Sequence, residues 1–169
     1  THVSHQAAQA SVAVSVRDPL LDASVNVIGG LNLLDACLAA GTLERFVFAS
    51  TGGAIYGEVP EGTKATEETA PSPFSPYAIH KLAFEQLLSV YQRERKIATR
   101  VLRYANVYGP RQDPPGKAGV VPIFMDAVLE GRPLRVNARS KHGDDGCVRD
   151  YVYVSDVANA NALALAGEI

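Results

Sequence analysis

The pair of residues with the most chemical content is Tyr77-x-x-x-Lys81. A spacing of four puts both side chains on one face of a helix, and Ser75-Pro76 supplies a helix start just upstream. A phenol titrates near pH ~10, so at neutral pH it is a poor base unless a neighbouring cation lowers that value. Lowering it by about three units takes roughly 4 kcal/mol, which one ammonium about 4 Å away supplies at an effective dielectric of about 20. The pair therefore calls for a partly dry cleft, in which a Tyr77 made acidic by Lys81 could serve as a base.

The flanking segments are of the kind that build such a cleft. Arg45 to Ala49 is a short, nearly continuous apolar run, as expected of a strand covered on both faces, and it delivers Ser50-Thr51 into a glycine-containing loop. In an open α/β sheet a hydroxyl at the carboxyl end of a strand faces the ligand crevice. The helix from Ser75-Pro76 keeps Phe84, Leu87, Leu88 and Tyr91 at helical spacing to about Arg95, and Thr99 to Tyr104 is the next strand.

Around this centre the pattern repeats. A first strand ends near His5. A helix runs from Asp18-Pro19 to a stop at Gly41, with Gly29 and Gly30 suggesting close packing. The stretch from Ser50 to Ser75 reads as a long polar loop, a length usually tied to function or disorder. A Pro/Gly-rich loop from Gly109 to Gly119 precedes a helix from Val120 to Glu130 that stops at Gly131. Short strands are expected over Leu134 to Val136 and Cys147 to Val154, and Ser155-Asp156 would cap a last helix reaching Ala166 before Gly167. Alternating strands and helices imply an α/β protein with a partial doubly wound parallel sheet.

Composition narrows the function classes. The 169 residues are 47% hydrophobic and 20% charged, which suits one globular unit, and a net charge of −2 leaves no basic footprint for nucleic acid. No run approaches the roughly 20 apolar residues that span a bilayer, so no membrane association and a cytoplasmic location are expected. Cys37 and Cys147 form neither a CxxC pair nor a disulfide framework and read as small buried residues in a reducing compartment. His2, His5, His80 and His142 lack metal-ligand spacing, and no metal is expected. Asp113-Pro114-Pro115-Gly116 and Asp144-Asp145-Gly146 read as turns.

Several motifs occur in a fixed order: Ala7-Ala8-Gln9-Ala10, Asn26-Val27-x-Gly29, Phe48-Ala49-Ser50-Thr51 with Tyr56-Gly57, Ser75-Pro76-Tyr77-x-x-x-Lys81, Leu102-Arg103-Tyr104-x-Asn106-Val107-Tyr108-Gly109-Pro110, and Val148-Arg149-Asp150-Tyr151. Together they resemble the NAD-dependent epimerase/dehydratase family of extended short-chain dehydrogenases/reductases, and within it the UDP-glucose 4-epimerases, over nearly the whole chain. The resemblance implies NAD as cofactor and a nucleotide-sugar as substrate. It implies Tyr77 as the base, Lys81 on the nicotinamide ribose, and Thr51 on the reacting hydroxyl. Gln6, Ala7, Ala8, Asn26 and Ser50 would line the dinucleotide, with Tyr104 near the nicotinamide. Asn106, Gly119, Val120 and Arg149 would meet the nucleotide-sugar phosphates, Arg149 with its two-pronged donor geometry. Residues 1–110 would be the later part of a Rossmann-type NAD-binding domain, and 111–169 a partial substrate-binding region with a returning strand and helix. A homodimer is implied through the helices that start at Pro19 and Pro76, against the plainer alternative that both simply pack on the sheet.

The chain also departs from the family pattern. His80 stands directly before Lys81, where a small hydroxyl residue is common. Val136-Asn137-Ala138-Arg139-Ser140 replaces an aromatic and a glycine that usually pack the nucleotide base. Family dehydratases carry an acidic residue just after the loop threonine, whereas Thr51 is followed by Gly52-Gly53. That favours an epimerase over the alternatives of a dehydratase or reductase. Gly52-Gly53-x-x-x-Gly57 lets backbone approach substrate or is an ordinary turn. No Gly-rich phosphate turn precedes His5 and the first residue is Thr1, which suggests preceding strand and helix units and an inactive isolated chain. The alternative from another class is a truncated, non-catalytic fragment or interaction module that binds no NAD.

Overall fold

The computed structural model describes residues 1–60, 62–112, 119–134, 136–137, 141 and 146–169. Three strands, β1 (His2–His5), β2 (Arg45–Thr51) and β3 (Ala98–Tyr104), pair in parallel in the order β1-β2-β3. Their register sets His5 beside Phe48 and Thr51 beside Tyr104, so all three carboxyl ends meet at one edge. Side chains alternate along each strand. Phe46 and Phe48 point to one face and form the core with Leu34, Phe84, Leu88 and Ile97. The opposite face is covered by helix α7 (Val154–Ala166), which packs on all three strands and buries Ala164 completely. Helices on both faces of a parallel sheet make the expected doubly wound α/β arrangement.

Between β1 and β2 the expected helix from Pro19 is present but divided: α2 (Pro19–Ala23), a π-helical turn (Ser24–Ile28) and α3 (Gly29–Ala39) follow without a break. A further short helix, α1 (Val12–Arg17), precedes them, capped by the Ser11 hydroxyl, which accepts from the Val14 amide at 3.3 Å. Its alternating valines carry a strand-like pattern, so nothing in the periodicity marks it. Fused, Pro19–Ala39 is 21 residues long and, by length and composition, apolar enough to cross a bilayer. This corrects the expectation that no run approaches that length. Asp22, Asn26, Gly30 and Leu34 form a buried stripe along it, two of them polar and both hydrogen-bonded inside the protein. The close packing foreseen at the glycines lies at Gly30, where a Cβ would come within 2.7 Å of the Phe84 ring.

Other expectations are adjusted. β2 runs two residues further than the apolar pattern, and the loop after it begins with a helical turn, α4 (Gly52–Ile55). Helix α5 (Pro76–Arg95) has the expected bounds, with the Ser75 hydroxyl accepting from the Ala78 amide at 3.2 Å. Helix α6 (Val120–Leu129) follows. The strand expected over Cys147 to Val154 shrinks to β5 (Tyr151–Tyr153), which pairs in parallel with β4 (Asn106–Tyr108). Tyr153 is the N-cap residue of α7, so Ser155 and Asp156 lie inside its first turn and do not cap it. Leu134 and Val136 belong to no strand. Arg135, His142, and the turns at 113–116 and 144–145 lie outside the described residues, as do positions 138–140. Cys147 is exposed and Cys37 half-buried, which corrects the reading of both as core residues; no helix or strand includes Cys147.

Candidate active site

Helix α5 presents Tyr77, Lys81 and Glu85 at successive spacings of four, hence on one face. Each engages a different residue at the end of β2. The Tyr77 hydroxyl is near enough to the Thr51 side chain for that hydroxyl to pull its pKa down. Lys81 Nζ donates to the Ala49 carbonyl at 2.9 Å and lies 4.7 Å over the Phe48 ring. Glu85 accepts from the Ser50 hydroxyl. One helix face thus binds Ala49 and Ser50 and sets Tyr77 beside Thr51.

The electrostatics differ from the simple expectation. Burial pushes the Tyr77 phenol above its ordinary value; the Thr51 hydroxyl opposes this, and the Asp22 carboxylate adds to it. Lys81 is only 3% exposed, and its pKa falls to about 8, chiefly by burial and against the pull of Asp22. Its Nζ is 6.0 Å from the Tyr77 ring centroid. The expected acidification of Tyr77 by Lys81 is therefore corrected: burial dominates and raises the phenol's pKa, while the ammonium is drawn to the Ala49 carbonyl. His5, at the end of β1, is held below its ordinary value by burial and then by Lys81, and stays neutral at pH 7.

Of the residues expected to line a dinucleotide, Gln6, Ala7 and Ala8 follow β1 and Tyr104 ends β3, so they share the carboxyl edge with Thr51, Tyr77 and Lys81. The Gln6 amide is 3.2 Å from the Tyr104 hydroxyl. Asn26 and Ser50 are placed differently. Asn26 is buried and pairs with the backbone of Gln9 in both directions, at 3.0 and 2.9 Å, so it holds the loop after β1 from beneath. Ser50 is 4% exposed, with its hydroxyl turned to Glu85. The residues that do reach the edge fit a nicotinamide ribose: Lys81 has three N–H donors and its bond to Ala49 uses one.

The four residues expected to meet phosphates come together in a second place. Asn106, Gly119, Val120 and Arg149, with Gln112 and Tyr151, line a cleft of about 220 Å³. Asn106 is held there by the Asp150 carbonyl, which accepts from its backbone amide at 3.0 Å and its side chain at 2.8 Å. α4 borders the cleft residue Asn106: a Cβ on Gly53 would lie 3.7 Å from the Asn106 side-chain nitrogen. Gly52 approaches backbone of its own chain: a Cβ there would come within 3.0 Å of the Arg103 carbonyl oxygen.

A family model described as the NAD dependent epimerase/dehydratase family matches residues 1–168. The chain belongs to that family. It is 44% identical over 156 residues to a UDP-glucose 4-epimerase of Mycolicibacterium smegmatis, covering 92% of this chain and 48% of that one. Among solved structures, the UDP-glucose 4-epimerase of Thermus thermophilus in complex with NAD superposes with a TM-score of 0.92 at 65% identity, covering 98% of this chain and 53% of that one. The Thermotoga maritima UDP-glucose 4-epimerase with UDP-glucose gives 0.89 at 51% identity, over 97% and 51%. The chain thus spans about half the length of these relatives.

As a member of this epimerase/dehydratase family the chain also carries site residues that the motifs did not single out. Glu85, buried, and Arg103, half-buried, form an ion pair at 2.6 Å, and Arg103 donates to the Tyr56 hydroxyl at 2.7 Å. Asn161 of α7 ties Gln6, at 2.7 Å, to Tyr104, at 2.6 Å. Asp22 and His80 pair at 2.6 Å beside Tyr77 and Lys81. Two of these had a sequence signal: Glu85 repeats the spacing of Tyr77 and Lys81, and Asp22 sits four residues before Asn26 in an otherwise apolar stripe. Arg103 stood inside the Leu102-Arg103-Tyr104 motif with no role assigned to it, and Asn161 had no signal.

Proposed function

We propose that the protein carrying this chain is an NAD-dependent nucleotide-sugar 4-epimerase of the UDP-glucose/UDP-galactose type. The observation that carries the reading is that α5 sets Tyr77 one helical turn from Lys81, which is buried and bound to the Ala49 carbonyl of the strand that ends in Thr51, at the carboxyl ends of parallel strands. Bound NAD would accept a hydride from the sugar C4 and later return it. Thr51 would hold the C4 hydroxyl while Tyr77, as phenolate, takes its proton, leaving a 4-keto sugar. After the keto sugar turns over, the hydride returns to the opposite face and Tyr77 gives the proton back to O4, so no atom is gained or lost. Lys81 would hold the ribose with its remaining donors. Gly52 and Gly53 after Thr51 offer no carboxylate to assist loss of water, which favours epimerisation over dehydration.

The other expectations join this reading as proposals. Asn106, Gly119, Val120 and Arg149 would bind the sugar-nucleotide phosphates in their shared cleft. Residues 1–110 would belong to the NAD-binding domain and 111–169 to the substrate-binding region, with α7 returning to the first sheet. A homodimer through the helices starting at Pro19 and Pro76 is supported by exposed apolar residues on them: Leu20, Ile28, Ile79 and Val90. A cytoplasmic location suits a nucleotide-sugar enzyme.

The test is an assay of the full-length protein with NAD on UDP-glucose. UDP-galactose should form, and Tyr77→Phe should abolish its formation. Accumulation of a 4-keto-6-deoxy sugar in place of UDP-galactose would reject the epimerase reading.

A further inference from the structure

Beside the Tyr77–Lys81 face lies a buried charge that the proposed chemistry does not use. Asp22 is fully buried in α2. One of its carboxylate oxygens accepts from the Gln9 side chain at 2.5 Å, and the other meets His80 Nδ1 at 2.6 Å. Gln9 belongs to the loop after β1, and its backbone is gripped by Asn26. His80 precedes Lys81 on α5, and its side chain is 20% exposed. Asp22 therefore joins the loop after β1 to the helix that carries Tyr77 and Lys81, and its only titratable hydrogen-bond partner among the described residues is one that water can reach.

The charged surroundings are few. On α5, Tyr77 and Lys81 both feel Asp22, while Glu85, one turn beyond, is matched by Arg103. On β1, His5 stands beside Lys81 and is kept neutral. At the α1–α2 junction Arg17 and Asp18 are exposed, and Asp18 is occupied in capping α2. Histidine is the side chain whose charge ordinarily changes between about pH 5 and 8.

We infer that Asp22 and His80 are a positioning pair for the Tyr77–Lys81 site, in which protonation of His80 cancels the negative field that Asp22 otherwise imposes on Tyr77. With His80 charged, the phenol loses its proton more readily; with His80 neutral, Asp22 opposes that loss and favours the Lys81 ammonium. A hydroxyl residue in place of His80 would leave the carboxylate charge permanent. The kinetic consequence rests on the proposed function, whereas the field at Tyr77 does not.

The test uses the full-length protein labelled with ¹³C at the tyrosine Cζ, the Tyr77 resonance being assigned with Tyr77→Phe. His80→Asn keeps a nitrogen donor near the Nδ1 position without a titratable charge, so a purely structural role would leave it like wild type. In wild type the Tyr77 resonance should shift through pH 5–8, and in His80→Asn that shift should be lost. Asp22→Asn should lower the midpoint of the phenol titration, read as the absorbance difference between variants with and without Tyr77. If Asp22→Asn does not fold, His80→Asn alone decides. A Tyr77 resonance that is flat in wild type, or that still shifts in His80→Asn, overturns the inference, as does an unmoved phenol midpoint. On the epimerase reading, the ratio of wild-type to His80→Asn kcat/KM should rise several-fold from pH 8 to pH 6. Absence of epimerase activity would defeat that reading alone, and the resonance would still test the pair.

Discussion

Lys81 Nζ lies 2.9 Å from the Ala49 carbonyl oxygen, so the ammonium is anchored to the strand that ends in Thr51. Burial lowers its pKa from 10.5 to about 8. The folded value lies below the unfolded one, so between about pH 8 and about pH 10.5 the unfolded chain keeps a proton that the folded chain has released. Stability from this group therefore rises with pH across that window, and its cost is full below about pH 8. The shift corresponds to about 3 kcal/mol. Lys81→Met removes the charge, loses the bond to Ala49 and, on the proposed epimerase reading, should reduce kcat by at least about 100-fold. Denaturation of both proteins at pH 7.5 and pH 10 should show wild type gaining stability relative to the variant at the higher pH. A constant difference would mean that Lys81 is not desolvated in the folded protein.

The second prediction concerns Glu85. Its carboxylate takes Arg103 Nε at 3.1 Å and a terminal guanidinium nitrogen at 2.6 Å, and it accepts from Ser50 as well. Removing one partner of such a pair leaves the other charge without compensation, a loss of about 3–5 kcal/mol when both are buried. The Arg103 side chain is 23% exposed, which puts Glu85→Ala at the lower end of that range. In urea denaturation, Glu85→Leu combined with Arg103→Met should recover much of the loss, because no lone charge remains. Equal stability of the single and double variants would show that the charge pair is not what holds β2, β3 and α5 together here.

The motifs gave the Tyr77–Lys81 face of α5 and the carboxyl edge of the sheet directly, because helical spacing and apolar runs encode which side chains share a face. They misjudged the fine electrostatics of Tyr77. Whether Lys81 points at a phenol or at the Ala49 carbonyl depends on the distance between α5 and β2, which no spacing within one segment records. Asn26 and Ser50 were read as lining a ligand, yet both turn inward to satisfy Gln9 and Glu85. The choice depends on partners in other elements. Pairings such as Asp22 with His80, 58 positions apart in the chain, and Asn161 with Gln6 arise only once the sheet and helices assemble. The short helices α1 and α4 escaped for a simpler reason, since six and four residues are too few for a period of 3.6 to show.

Gly29 and Gly30, adjacent in sequence, should respond oppositely to alanine. A Cβ at Gly30 would meet Phe84 at 2.7 Å, and that ring is fully buried with no room to retreat. Overpacking of this kind costs about 1–3 kcal/mol, more than the helix gains from losing a glycine, about 1 kcal/mol. A Cβ at Gly29 would sit at 3.5 Å from the Ser24 carbonyl oxygen, an ordinary contact. Gly30→Ala should therefore lower Tm while Gly29→Ala raises it slightly. Thermal unfolding of the two variants checks the sign of each, and a rise in Tm for Gly30→Ala would refute the close approach of α3 to α5.

Arg149 tests the cleft beside Asn106. Arg149 lines the cavity, and among the described residues its guanidinium donates to the Val148 carbonyl at 2.8 Å, a bond that uses one of five N–H donors. If the cleft holds the phosphates of a nucleotide-sugar, those donors make charge-assisted bonds equally in the ground state and the transition state. Losing them costs about 1.5–3 kcal/mol of binding, or roughly 10- to 100-fold in KM, with kcat little changed. Arg149→Lys should recover only part of this, since a single ammonium lacks the planar fork that matches two phosphate oxygens. Steady-state kinetics on UDP-glucose with Arg149→Ala and Arg149→Lys distinguishes the cases. A fall in kcat at constant KM would move Arg149 from phosphate binding to the chemical step, and no change in either constant would place the phosphates elsewhere.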